Sequence, residues 1–148
     1  MPAMKLRTPG RSVALACALL GVLVWEGTMN AHADSPGTLT GTAWLAEEIE
    51  KQAVTEGVQS TLEFPEEGQI AGGGGCNRFH GPFTADSERL FGMLATTRKM
   101  CPPPQMDQET RFLQALAKAT RLEQKDTVML VYGEGAEPLL KLRLLPPS

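Results

Sequence analysis

The sequence predicts a mainly β domain of the α+β class: a small antiparallel β-barrel or half-barrel of about eight short strands with one packed helix near Gln105–Ala119. Three observations carry this expectation. Short apolar runs separated by turn residues recur from Thr42 to Leu144. Only one segment changes to a helical period, and it follows Pro102-Pro103-Pro104, which cannot donate to a sheet ladder. The four-glycine run Gly72 to Gly75 ends in Cys76, and Cys101 follows 25 residues later, as two fixed points of one small domain.

The elements follow in order. Residues 1–33 read as a signal peptide. Lys5, Arg7 and Arg11 form a basic start, Ser12 to Val24 an apolar run of about 13 residues, and Ala31-His32-Ala33 places cleavage between Ala33 and Asp34. A retained anchor is the bland alternative, although the run falls short of the roughly 20 residues a membrane-spanning helix needs. A lipoprotein processed at Cys17 is the other alternative, and membrane contact is expected only in that case. Residues 34–41, rich in Gly, Ser, Thr and Pro, form a flexible leader, and 42–145 form the domain.

Within the domain, Thr42 to Ile49 reads as a strand carrying Trp44, and Lys51 to Gly57 as a polar connection. Ser60–Phe64 and Gln69–Gly72 form a hairpin around Pro65 to Gly68. Asn77 to Thr84 follows, with Phe79 and Phe83 on one face. After the turn Asp86 to Glu88, Leu90 to Thr97 continues the sheet. Met106, Phe112, Leu113, Leu116 and Ala117 form the helix's apolar stripe, with Asp107 and Glu109 early and Lys118 and Arg121 late, as the helix dipole favours. Thr120–Glu123, Thr127–Tyr132 and Leu139–Leu144 close the chain as short strands. Trp44, Phe64, Phe79, Phe83, Phe112 and Leu116 are the expected core.

Charge and cysteine count narrow the function. The chain has 14 basic and 17 acidic residues, and the segment after Ala33 keeps 11 and 16, a formal charge of −5. That balance, with no basic cluster beyond Arg98-Lys99, speaks against nucleic acid as a partner. In an oxidising compartment Cys76 and Cys101 are most simply a disulfide. Two free buried thiols, or a metal-binding or catalytic cysteine, are the alternatives.

A Cys76–His80 dyad requires contact within about 3 Å, whereas four residues of strand separate them by about 13 Å. A zinc site on Cys76, His80 and Cys101 meets the same obstacle. The glycine run lacks the helix N-terminus that a phosphate loop uses and reads as a bulge or barrel corner, across which Asn77 can hydrogen-bond. Arg78 reads as a solvated or cross-strand partner. No catalytic residue, metal site or cofactor is expected.

The order of Trp44, Leu62-Glu63-Phe64, Gly74-Gly75-Cys76-Asn77-Arg78, Gly81-Pro82-Phe83, Ala95 to Cys101 (with Thr97-Arg98-Lys99-Met100), Gln108-Glu109 and Phe112 to Leu116 resembles the META/HslJ family. The resemblance covers roughly Leu39 to Leu144. It implies a small exported or lipid-anchored bacterial domain with a barrel-like sheet and one packed helix. It also implies links to heat shock, novobiocin resistance and, more loosely, motility, with no enzymatic reaction to carry over. The chain departs from the pattern in its fourth glycine and its three prolines after Cys101. The expectation is therefore a monomeric, non-enzymatic exported protein acting in envelope stress tolerance or resistance through an envelope protein partner. A small-ligand-binding barrel and a secreted inhibitor presenting Pro102 to Pro104 are the alternatives.

Overall fold

Nine strands and one helix follow one another in the computed structural model, which describes residues 38–147: β1 Thr42–Ile49, β2 Gln52–Ala53, β3 Thr61–Phe64, β4 Gln69–Gly73, β5 Arg78–Pro82, β6 Ala95–Thr96, α1 Pro103–Ala117, β7 Arg121–Lys125, β8 Val128–Tyr132 and β9 Pro138–Leu144. The signal segment, the Ala33–Asp34 cleavage position and Cys17 lie outside the described residues. All pairings are antiparallel, in the order β6-β5-β4-β3-β1-β9-β8-β7, with β2 added to β1. The two ends of this order do not pair, so the sheet is a half-barrel.

The helix fills its hollow. Alternation along the strands turns Trp44, Leu62, Phe64, Ile70, Phe79, Met129, Val131, Leu140 and Leu142 inward, where they meet Phe112, Ala115 and Leu116 of α1. Each of the Val, Leu, Ile, Phe and Met side chains among them contributes about 1.5–3 kcal/mol relative to an exposed one. Phe83 is only half-buried, packing edge-on against Phe64 at 5.2 Å between ring centroids and beside Phe91 at 5.7 Å. A register shift at Glu47, between Ala46 facing Leu142 and Glu48 facing Lys141, resets the alternation of β1 so that Ile49 also points inward.

Three sequence expectations change. The polar connection after Ile49 contains a tight hairpin, because Glu50 and Lys51 both adopt positive φ (48° and 66°) and return the chain as β2. Two consecutive left-handed residues match the twist of a two-residue β-turn, although neither is the usual Asn or Gly.

The strand expected over Leu90–Thr97 is not continuous. Phe83 faces Phe91 and His80 faces Ala95, so Gly81-Pro82 stands opposite Gly92-Met93-Leu94, one residue longer. This is a bulge. It sits against Gly81, where a Cβ would lie 2.8 Å from a Leu94 methyl and 2.9 Å from the Met93 carbonyl. Only Ala95–Thr96 remains in register.

The helix starts two residues early, at Pro103, and ends at Ala117. Proline's fixed φ and missing N–H suit the first helical turn, so the prolines open the helix as well as ending the sheet. Its first turn carries no acidic residue and its last no basic one, so the expected dipole arrangement is absent. The buried stripe is Gln108, Glu109, Phe112, Ala115 and Leu116, without Ala117 or Met106.

The two free edges differ. Along β7 the exposed positions are Arg121, Glu123 and Lys125. At the other end β6 is two residues long and carries exposed Ala and Thr.

Gly72 is where the sheet is tightest. A Cβ there would lie 2.0 Å from the Thr61 carbonyl oxygen and 2.9 Å from the Phe79 ring. Gly72→Ala is expected to lower stability by about 1–3 kcal/mol through overpacking. Gly73→Ala, whose Cβ would meet only Thr61 Oγ1 at 3.8 Å, is the near-neutral control in the same thermal denaturation series.

Candidate functional site

The turn Gly74-Gly75-Cys76-Asn77 joins β4 to β5 and is closed by the Gly74 N–H donating to the Asn77 carbonyl at 2.8 Å. Helix α1 presses on it from one side. A Cβ on Gly74 would lie 2.6 Å from Glu109 Cγ, so glycine is what admits the glutamate. Gly75 has φ +139°, a conformation that residues with a Cβ rarely adopt.

Glu109 is the centre of the arrangement. Its Oε2 accepts the backbone N–H of Cys76 at 2.9 Å and that of Asn77 in a shorter bond, and its Oε1 accepts Asn77 Nδ2 at 2.8 Å. Burial by itself would raise the carboxyl's pKa. The hydrogen bonds from the Asn77 backbone and side chain and from the Cys76 backbone, together with the positive charge of Lys99, outweigh it and hold the pKa below the ordinary value. Glu109 is thus a buried carboxylate kept ionised by the turn it grips.

Asn77 connects this turn to the segment after β6. Its Oδ1 accepts the Thr97 hydroxyl at 2.9 Å and the Lys99 N–H at 2.6 Å, while Nδ2 also donates to the Lys99 carbonyl at 3.2 Å. Together with the bond to Glu109, the side-chain amide fills all four of its hydrogen-bonding positions. Thr97 Oγ1 accepts the Arg78 N–H at 3.2 Å. The Cys76–Cys101 disulfide, with Cα atoms 6.0 Å apart, fixes the same segment a second time.

A second clasp lies one helical position away. Gln108, fully buried, accepts the Thr55 N–H at 2.6 Å and donates to the Val58 carbonyl at 3.1 Å and to Ser60 Oγ at 3.0 Å. Ser60 Oγ in turn donates to the Gly74 carbonyl at 2.6 Å. Adjacent residues of one helix therefore hold two separate loops, 55–60 and 74–77.

The structure gathers Gly74, Gly75, Cys76, Asn77, Thr97, Cys101 and Glu109 into one place. Arg78 and Arg98 do not enter it: Arg78 reaches Glu63 at 3.6 Å on the exposed side of the sheet, and Arg98 is exposed. His80 is also exposed, on the face of β5 opposite the buried Phe79 and Gly81. Reasoning from sequence missed the roles of Gln108 and Ser60. The signal for Gln108 was a polar residue at a position that helical periodicity assigns to the core. The thiols are consumed in a disulfide and the carboxylate's oxygens in hydrogen bonds. As built, the cluster locks loops together and presents no free nucleophile or base.

The comparisons with known proteins accord with this geometry. The META domain family profile matches residues 37–144, most of the chain. This chain belongs to the META domain family. Solved structures similar to this META domain share its fold. One is an NMR structure of a protein from Burkholderia xenovorans, with TM-score 0.58 and 24% identity over 72% of this chain and 83% of that one. Another NMR structure has TM-score 0.56 and 23% identity over 71% of this chain and 90% of that one. At these identities the likeness concerns the fold alone. A search of curated proteins finds no match. Among the described residues of this META domain, no helix is long and apolar enough to cross a membrane, and no three His, Cys, Asp or Glu side chains are grouped to hold a metal ion.

Proposed function

We propose that this META domain is an exported, non-enzymatic module that supports envelope stress tolerance or novobiocin-type resistance by binding a partner. One observation carries the reading. Cys76, Asn77, Thr97 and Cys101 are spent on holding segment 97–104 to the sheet, and that segment is exposed apart from half-buried Cys101. Met100 on it is 88% exposed, so its side chain is accessible to a partner. A disulfide that fixes a surface segment suits an oxidising compartment, which supports export. The interior is filled by the side chains of α1, which favours a surface-binding role over a ligand held inside the barrel.

The test is genetic. Deleting the gene in its source organism is expected to lower survival of heat or of novobiocin, with the wild-type chain restoring it. A variant with Arg98 and Met100 both changed to serine, which leaves the Lys99 charge beside Glu109 in place, is expected to keep its melting temperature and fail to restore survival. Unchanged survival of the deletion strain under both stresses would overturn the reading.

A further inference from the structure

The bulge opposite Gly81 leaves an apolar cleft beside the free edge of β6. Phe91, Met93, Leu94 and Thr96 line one wall, and Leu113 and Ala117 of α1 the other. Met93 is 93% exposed, the most exposed large apolar side chain among the described residues. The edge itself is held rigid. Gly92 donates its N–H to the Pro82 carbonyl at 3.0 Å, Thr97 donates to the Arg78 carbonyl at 3.0 Å, and a Cβ on Gly92 would lie 2.6 Å from Pro82 Cγ.

Ala95 pairs with His80, and Thr97 bonds to Arg78, so antiparallel alternation directs the N–H and C=O of Thr96 away from β5. The outward N–H and C=O of Thr96 thus lie beside one helix with apolar side chains between them. Charge selects among possible occupants. Arg89 is the charged residue lining the cleft, and Arg98 and Lys99 follow the strand. None of the three makes an ion pair among the described residues, and the nearest acidic neighbour in the chain, Glu88, lines a different depression with Arg89.

We infer that this cleft binds an extended segment of a partner protein as an added strand on β6, with apolar side chains against Met93, Leu94 and Leu113 and carboxylates meeting Arg89 and Arg98-Lys99. Backbone bonding supplies affinity and the cleft supplies selectivity. The inference rests on the interaction reading above and names its surface.

The experiment selects a phage-displayed library of random ten-residue peptides against the chain lacking residues 1–33, then maps the selected peptides by amide NMR shifts. Expected are acidic peptides with alternating apolar residues that shift amides 93–98 and those of Leu113 and Ala117. Affinity should fall at least tenfold with Met93→Glu and at least tenfold when alternate peptide amides are N-methylated. Arg89→Glu should lower the preference for acidic over basic peptides by a similar factor. Met93 and Arg89 are exposed, so both variants are expected to fold, which melting temperature checks.

No selected peptide, shifts confined elsewhere, or full binding by N-methylated peptides would overturn the inference. Concentration-dependent shifts of the same amides without peptide would also overturn it, by making a second copy of the chain the occupant. These failures leave the deletion phenotype untouched, whereas a silent deletion strain would remove the biological reading without affecting peptide binding.

Discussion

Glu109→Ala is expected to lower stability by about 3–5 kcal/mol, measured by urea unfolding at neutral pH. The change strands the buried N–H of Asn77 and the half-buried N–H of Cys76, and takes one acceptor from Asn77 Nδ2. Each buried donor left without a partner costs about 1–3 kcal/mol. Glu109→Gln separates charge from shape. One carbonyl oxygen can still accept the two backbone donors, but the amide nitrogen then faces Asn77 Nδ2, donor against donor. Asn77 cannot flip to relieve this, because Oδ1 already accepts from Thr97 and Lys99. A loss of about 2 kcal/mol is expected for the glutamine variant.

Acid titration gives the same residue a second signature. The folded state holds the Glu109 pKa below the ordinary value, so on acidification the unfolded chain takes up that proton first. Its stabilising contribution is therefore complete above the unfolded pKa, about 4.3, and is lost as pH falls through the folded value. Unfolding free energy should drop more steeply below about pH 4.5 in the wild type than in Glu109→Gln. Parallel curves would show that another carboxylate dominates.

Removing the disulfide, by reduction or by Cys76→Ser with Cys101→Ser, is expected to cost about 3–4 kcal/mol for a closed loop of this length. For a domain of this size that lowers Tm by on the order of 15 °C. Intact mass of the chain lacking residues 1–33, and with them Cys17, should show no alkylator adduct before reduction and two after it, and adducts on that unreduced chain would contradict the bond. The bond and Glu109 hold the same turn, so their losses should not add. Combining both changes should cost less than the sum, since a turn already released by one has less left to lose.

Much of this fold could be read in the sequence because local chemistry and tertiary context agree there. β1 spans Thr42–Ile49, the segment read as the strand carrying Trp44, and Pro65 to Gly68 makes the turn that its residues announce. The misreadings arise where context overrides local preference. Glu50 and Lys51 turn left-handed without glycine or asparagine, so β2 sent no hairpin signal. The bulge at Met93-Leu94 answers a steric demand from Gly81 in another strand, which no periodicity within 90–97 could reveal. Gln108 and Glu109 occupy core positions of α1 because loops more than 30 residues away offer them partners. The resemblance marked Glu109 as part of a motif, but its role depends on the turn it meets.

The unequal guarding of the two sheet edges has a consequence for assembly. Growth into a filament through the two ends of this order requires both β6 and β7 to accept a neighbour. The alternating charges Arg121, Glu123 and Lys125 make β7 a poor template for such pairing. Of these two ends only β6 is then receptive, and two copies meeting there are related by a two-fold axis that uses up both β6 edges. Self-association through the sheet accordingly closes at a dimer, so the molecule keeps one edge open to other chains without exposing itself to polymerisation.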